Sequence, residues 1–150
     1  GNEVRFMNAY FVKCNSCVKD ENGNVTEIHC TYDPASKGGN SPDGRKVKGT
    51  IHWVSAEYGK QVTVRLYENI VNEELGVYYE DGSLNLNPNS LTVLDNCVVE
   101  PELMSAKAYD SFQCVRNGFF CADCKDSKDR QPVFNRIVSL KSSFKLPTAK

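Results

Sequence analysis

No apolar run in this sequence approaches the length that spans a bilayer. Its N-terminus lacks the basic-then-apolar pattern of a secretory signal. No segment sustains a 3.6-residue apolar period, which argues against long helices. No glycine-rich loop leads into a helix, so a phosphate cradle of the P-loop or dinucleotide-binding kind is excluded. A nucleophile elbow is missing as well. Histidine is scarce: His29 and His52 both fall on predicted strands, where a lone histidine is read as a packed or surface residue rather than a catalyst. Carboxylates are plentiful, but nothing pairs two of them in a pocket. An excess of one charge sign is also lacking. The 18 Lys and Arg stand against 19 Asp and Glu, a net charge of −1, whereas a general nucleic-acid binder is strongly basic.

What remains is a chain of 150 residues, 40% hydrophobic and 25% charged, which folds rather than staying disordered. That length suits one ordinary domain or two small barrels that share an interface. The charge is uneven. Glu68, Glu73, Glu74, Glu80 and Asp81 form an acidic stretch without a cation. After Cys124, Lys125, Lys128, Arg130, Arg136, Lys141, Lys145 and Lys150 face only Asp126 and Asp129. Such separation permits one basic face on a near-neutral body. Seven cysteines, an odd number without a secretory signal, point to a reduced cytosolic setting.

The pattern is strand after strand. Glu3–Lys13 alternates through Val4, Phe6, Tyr10 and Val12 and is predicted as one strand continuing toward Val18. Asn22-Gly23 marks a hairpin turn, and Val25–Tyr32 returns. Asp33–Asp43, with two prolines, reads as a loop. Lys46–Ser55 and Gln61–Glu68 follow as strands; in the second, Val62, Val64 and Leu66 face one way and Thr63, Arg65 and Tyr67 the other. Short connections between them predict an antiparallel meander, the design of a small β-barrel. Asn69–Asn89 reads as a polar connector and Leu91–Val99 as a strand. Glu100–Ala106 has Pro101 placed to open one helical turn. Ser111–Ala122 is a strand broken at Asn117-Gly118, Pro132–Leu140 is the last strand, and the tail from Ser142 is expected to fray.

Two kinds of constellation carry chemistry. Cys14 and Cys17, and Cys121 and Cys124, form two CxxC pairs. Four such thiolates can hold a structural zinc, provided that strands about a hundred residues apart meet in space. Small apolar filling is the other reading. A redox CxxC needs a helix starting after a strand, and neither pair has one. The second kind is polar and cationic: Arg5, Asn8 and Tyr10 near one strand face, and Gln113 with Arg116 before a turn. Guanidiniums and amides of this sort read unstacked RNA bases, although Arg5 and Asn8 share a face only if a bulge intervenes.

The stretches Glu3–Cys14, Thr26–Pro34, Asp43–Ser55, Val64–Glu68, Phe112–Asp123 and Pro132–Arg136 occur in that order at familiar spacing. Together they resemble the C-terminal region of glutaminyl-tRNA synthetases, over nearly the whole chain. Lys46–Ser55, with Lys-Val-Lys-Gly followed by His-Trp-Val, is the most specific part.

The resemblance implies an all-β fold: an antiparallel β-barrel of the ribosomal-5S-RNA-binding-protein-like type, one barrel plus part of a second. Residues 1–75 would form the distal anticodon-binding barrel, and 76–150 a connector with the C-terminal part of the proximal one. It implies a class I synthetase that attaches glutamine to its tRNA with ATP and magnesium in the full enzyme. The catalytic domain would lie upstream in the same polypeptide, so this fragment would hold no cofactor and bind tRNA without aminoacylating it. The partner is the anticodon loop of glutamine tRNA, with no DNA and no membrane, in the cytoplasm. Gln113 and Arg116 match the family residues that read the middle anticodon base, and Arg5 and Asn8 match positions beside the first. Met7 departs from the family, where many relatives carry arginine. Two other readings are an archaeal or eukaryotic-type glutamyl-tRNA synthetase, and a zinc-stabilised protein-docking β module.

Overall fold

Strand-forming residues at period two dominate the chain, and a computed structural model shows nine strands among the residues it describes, 2–140. The tail from Ser142 and the basic residues Lys141, Lys145 and Lys150 lie outside them. The fold is all-β. The chain divides into two compact units, Gly1–Trp53 and Val54–Lys150.

In the first unit, β1 (Glu3–Phe6), β2 (Phe11–Lys19), β3 (Val25–Asp33) and β4 (Gly49–Ile51) make a sheet of order β3-β2-β1-β4. The expected single strand Glu3–Lys13 is in fact a hairpin. The Ala9 N–H donates to the Phe6 carbonyl at 3.0 Å and the Phe6 N–H to the Tyr10 carbonyl at 2.9 Å, with Asn8 left-handed at φ +57°. The Asn22-Gly23 turn forms as expected: Gly23 sits at φ +84°, and one Asp20 carboxylate oxygen accepts the N–H groups of Asn22 and Asn24. The expected strand Lys46–Ser55 shrinks to β4, which runs parallel to β1 with Val4 opposite Gly49. Phe11, 1% exposed, and Val12 are the buried apolar residues of this unit. Ser36, fully buried, accepts from the Phe11 N–H at 2.8 Å and donates to the Asp33 carbonyl, so its hydroxyl carries no unpaired cost.

In the second unit, β5 (Lys60–Tyr67), β6 (Leu91–Val99), β7 (Ser111–Cys114), β8 (Gly118–Ala122) and β9 (Val133–Val138) are ordered β6-β5-β9-β8-β7. Of the three residues that the alternation in β5 set on one face, Val62 and Val64 are buried and Leu66 packs partly buried against them. Val62 and Val64 of β5 bury with Phe120, Ala122 and Phe134, and Phe112 meets Phe134 edge-on at 6.0 Å. Each valine or phenylalanine among them removed from water contributes about 1.5–3 kcal/mol. The helical turn opened by Pro101 is present as a 3₁₀ turn, Pro101–Ser105, and Leu103 and Met104 from it cover this core.

Two expectations change. The sheets are mixed rather than antiparallel, since β5 also runs parallel to β9, and neither sheet closes on itself. A parallel neighbour must arrive by a long crossover, so a local meander cannot account for it. Strand β5, placed by sequence with residues 1–75, hydrogen-bonds with β6 and β9 instead of with β4. The connector over Asn69–Asn89 has an internal order of its own. Val71 bridges Leu86 and Tyr78 bridges Leu84. The buried Asn85 donates to the Gly76 carbonyl, and Asn87 to the Asn69 carbonyl.

Candidate nucleic-acid interface

The residues singled out by sequence fall in two groups, one in each unit: Arg5 on β1 with Asn8 in the turn after it, and Gln113 on β7 with Arg116 in the turn after it. Arg5 leaves β1 half-buried, with its guanidinium carbon 5.3 Å from the centroid of the Phe11 ring. Its Nε is buried and has no hydrogen-bond partner. Asn8, exposed, occupies the left-handed turn just beyond. Gly39 brings the two together. A Cβ placed on it would lie 3.3 Å from Arg5 Cδ and 3.8 Å from the Asn8 nitrogen, and its own φ is +88°. A turn, rather than the bulge the sequence called for, relates Arg5 and Asn8. Met7 lies in that turn, where its carbonyl accepts from the Trp53 indole Nε1 at 2.9 Å.

Beside Arg5 opens a shallow cleft of about 440 Å³, floored by Phe11 and lined by Ser41, Arg45, Lys46 and Lys48. Arg45 is its structural cation. It reaches Glu3 at 2.9 Å, Asp43 at 2.7 Å and also Asp33, and lies 5.0 Å from the Phe11 ring centroid. Those carboxylates hold the Arg45 pKa far above its ordinary range. In turn Asp43 is lowered to about 2 by the Ser41 hydroxyl and the Arg45 backbone and side chain, and Asp33 is lowered chiefly by Arg45.

In the second unit, Gln113 stands exposed on β7, and Arg116 is exposed at φ +67° in the turn to β8. The Asn117 N–H donates to the Cys114 carbonyl at 2.9 Å and closes that turn. Gly118 follows at φ +144°, where a Cβ would meet the Val138 carbonyl oxygen at 2.7 Å. Gln113 and Arg116 thus belong to one hairpin with their polar ends toward water.

The arginines separate into two classes. Arg45, Arg65 and Arg136 are held by carboxylates: Arg65 by Asp126 at 2.7 Å and, more distantly, Asp123, and Arg136 by Glu68. Arg5, Arg116 and Arg130 make no ion pair with a described residue. Two of these three are the arginines singled out by the resemblance. A guanidinium not engaged by a carboxylate can stack on a base or donate to its edge without first breaking an internal pair.

Sequence reasoning did not find Arg45, Gly39 or Trp53 as supports. The Gly38-Gly39 pair was the available signal for a close backbone approach, while the ion pairs of Arg45 join segments too far apart in sequence to suggest one another. Trp53 and Tyr32 are 42% and 60% exposed. Trp53 stacks on Phe6 and anchors the Met7 turn, and Tyr32 leans on Tyr10 at 4.9 Å. His29 pairs with Glu27 on the exposed surface. Among the described residues no group of three or more His, Cys, Asp or Glu side chains could hold a metal ion; Cys14 and Cys17 belong to the first unit, and Cys121 and Cys124 to the second. Cys124 instead shares a hydrogen bond with Tyr109, which raises the tyrosine pKa. No helix is long and apolar enough to cross a membrane among the described residues.

Two families with the description "tRNA synthetases class I (E and Q), anti-codon binding domain" match the chain, one over residues 50–123 and the other over residues 1–33. A glutamine–tRNA ligase of Clostridium kluyveri is 51% identical over 152 residues, covering 100% of this chain and 27% of the relative. That of Clostridium perfringens is 52% identical over 97% of this chain and 26% of its own length. That of Pseudomonas syringae is 46% identical over 95% and 25%. The chain spans about a quarter of the length of these relatives.

Proposed function

The chain belongs to the anticodon-binding region of the class I glutamyl and glutaminyl tRNA synthetases, and on that premise we propose that it reads the anticodon loop of glutamine tRNA. Gln113 and Arg116 engage the middle anticodon base from the β7–β8 hairpin. Arg5 on β1 and Asn8 in the β1–β2 turn act beside the first base. The observation that carries this reading is the division of the arginines: Arg5 on β1 and Arg116 in the β7–β8 turn have no carboxylate partner among the described residues, whereas Arg45, Arg65 and Arg136 are neutralised within the fold. Three unstacked bases need only one or two guanidiniums or amides each, and few phosphates need neutralising, so a net charge of −1 is no obstacle.

In the whole enzyme, glutamine would be joined to tRNA with ATP and magnesium by a catalytic domain of the same polypeptide, in the cytoplasm. The two open sheets are then parts of a distal and a proximal barrel of the ribosomal-5S-RNA-binding-protein-like type. The first unit, Gly1–Trp53, then belongs to the distal barrel.

The test is a titration of the chain with glutamine tRNA at two salt concentrations, beside the same tRNA altered at the middle anticodon base. Tighter binding of the unaltered tRNA supports the reading. Equal binding that falls steeply with salt means phosphate contact without base reading and removes the roles of Gln113 and Arg116. Because the matching families cover both E and Q synthetases, glutamate tRNA is the third arm. Preference for it would move the chain to the glutamyl branch.

A further inference from the structure

Three of the seven cysteines share one face of the β2–β3 ribbon. Cys14 of β2 stands directly opposite Cys30 of β3 in an antiparallel ladder. The register shifts between Cys14 and Ser16, so Ser16 opposes His29 and Cys17 opposes Ile28. Cys30 and Ile28 are two residues apart on β3 and share a face. Through the irregularity at Asn15, Cys14 and Cys17 therefore share that face too, although three residues apart they would otherwise point to opposite sides.

We infer that Cys14 and Cys30 form a peroxide-sensitive dithiol that closes reversibly to a cross-strand disulfide. Directly opposed residues of an antiparallel pair have Cα atoms about 4.5 or 5.5 Å apart, depending on the hydrogen-bonding phase. Either separation falls within the roughly 4.4–6.8 Å that a disulfide bridges. Cys17 is only a diagonal neighbour of Cys30, at about 7–8 Å, which is too far without backbone movement. All seven cysteines are thiols in this structure, and the pair differs in access: Cys30 is exposed and Cys14 half-buried. Cys30 is thus the sulfur that an oxidant meets first, with Cys14 positioned to resolve it.

The Cys30 thiolate attacks one oxygen of hydrogen peroxide. The O–O bond breaks, Cys30 becomes a sulfenic acid, and the departing hydroxide takes up a proton as water. The Cys14 thiolate then attacks the Cys30 sulfur. The S–S bond forms, the S–O bond breaks, and the second oxygen leaves as water. Two thiols and one peroxide give one disulfide and two waters. A small thiol such as glutathione restores the pair by exchange.

The test treats the reduced chain with hydrogen peroxide and maps its peptides without reduction. The expected product is a monomeric species in which the Cys14 and Cys30 peptides are linked, lost on adding dithiothreitol and retained in Cys17→Ser. A Cys30 found mainly as sulfinic acid, or linked mainly to any cysteine other than Cys14, would overturn the inference. The wild-type map decides between these outcomes even if Cys14→Ser and Cys30→Ser prove poorly folded.

Discussion

The indole nitrogen of Trp53 donates to the carbonyl oxygen of Met7 at 2.9 Å, tying the end of the first unit to the turn that presents Asn8. Trp53→Phe keeps the stacking on Phe6 and loses this hydrogen bond. It is expected to destabilise the chain by about 1 kcal/mol, read by urea unfolding, and to weaken tRNA binding more than the neighbouring exposed substitution His52→Gln.

Arg116→Ala and Gln113→Ala touch no described partner and are expected to leave the melting temperature unchanged. Loss of a hydrogen bond to a charged group costs about 1.5–3 kcal/mol. Arg116→Ala should therefore weaken glutamine tRNA binding roughly ten- to a hundredfold, and Gln113→Ala less. Discrimination at the middle base should shrink with both. Wild-type affinity in both variants would remove the hairpin from the interface.

Gly39→Ala is expected to impair binding through Arg5. The new Cβ falls 3.3 Å from Arg5 Cδ on a backbone at φ +88°, so the arginine stem must shift and the turn is strained. Weaker tRNA binding together with a lowered melting temperature is the expected pair of readings. Gly38→Ala, also at positive φ but with open space around it, should lower stability alone.

Asp123 gives the second unit an acid-sensitive tie. Its carboxylate accepts from the backbone N–H groups of Asp126 and Lys125 and from the Asn135 side chain, near Arg65, and its pKa is lowered from 3.8 to about 2. A depressed native pKa means that the contribution is complete above the ordinary carboxylate value and is lost as pH falls from about 4 toward 2. Asp123→Asn should cost about 2 kcal/mol at pH 7. Its loss of stability over that acid range should be shallower than that of the wild type, read by thermal melts across pH.

Arg45→Lys tests whether geometry or charge holds the first unit. The guanidinium serves Glu3, Asp33, Asp43 and Ser41 through several nitrogens at once, which an ammonium cannot reproduce. Arg45→Met is expected to lower the melting temperature, and Arg45→Lys to recover only part of that loss.

What could be read from sequence was local. The alternation in β5 announced its buried valines, Asn22-Gly23 its turn and Pro101 its helical turn, because each signal lies within a few residues. The turn at Met7–Tyr10 was hidden. Phe6, Tyr10, Phe11 and Val12 keep a strand composition straight through it, and Asn8 takes its left-handed backbone without a glycine to mark the place. The parallel pairings were hidden for a different reason: β1 with β4 and β5 with β9 depend on the meeting of segments far apart in the chain. For the candidate site, the resemblance supplied the residues, while their availability depended on which arginines find carboxylates. That partition is a property of the folded chain, as the distance in sequence from Arg45 to Glu3 illustrates.

β9 occupies the middle of the five-stranded sheet, yet it is the last described strand to leave the ribosome. β5 is finished much earlier. At roughly 5–20 residues per second, it waits several seconds for the neighbour that brings Phe134 against Val62 and Val64. Throughout that interval one edge of β5 carries unpaired backbone groups beside uncovered valines. The first unit has all four of its strands in hand by then. Synthesis therefore produces the two units in sequence, and the second passes through the aggregation-exposed stage.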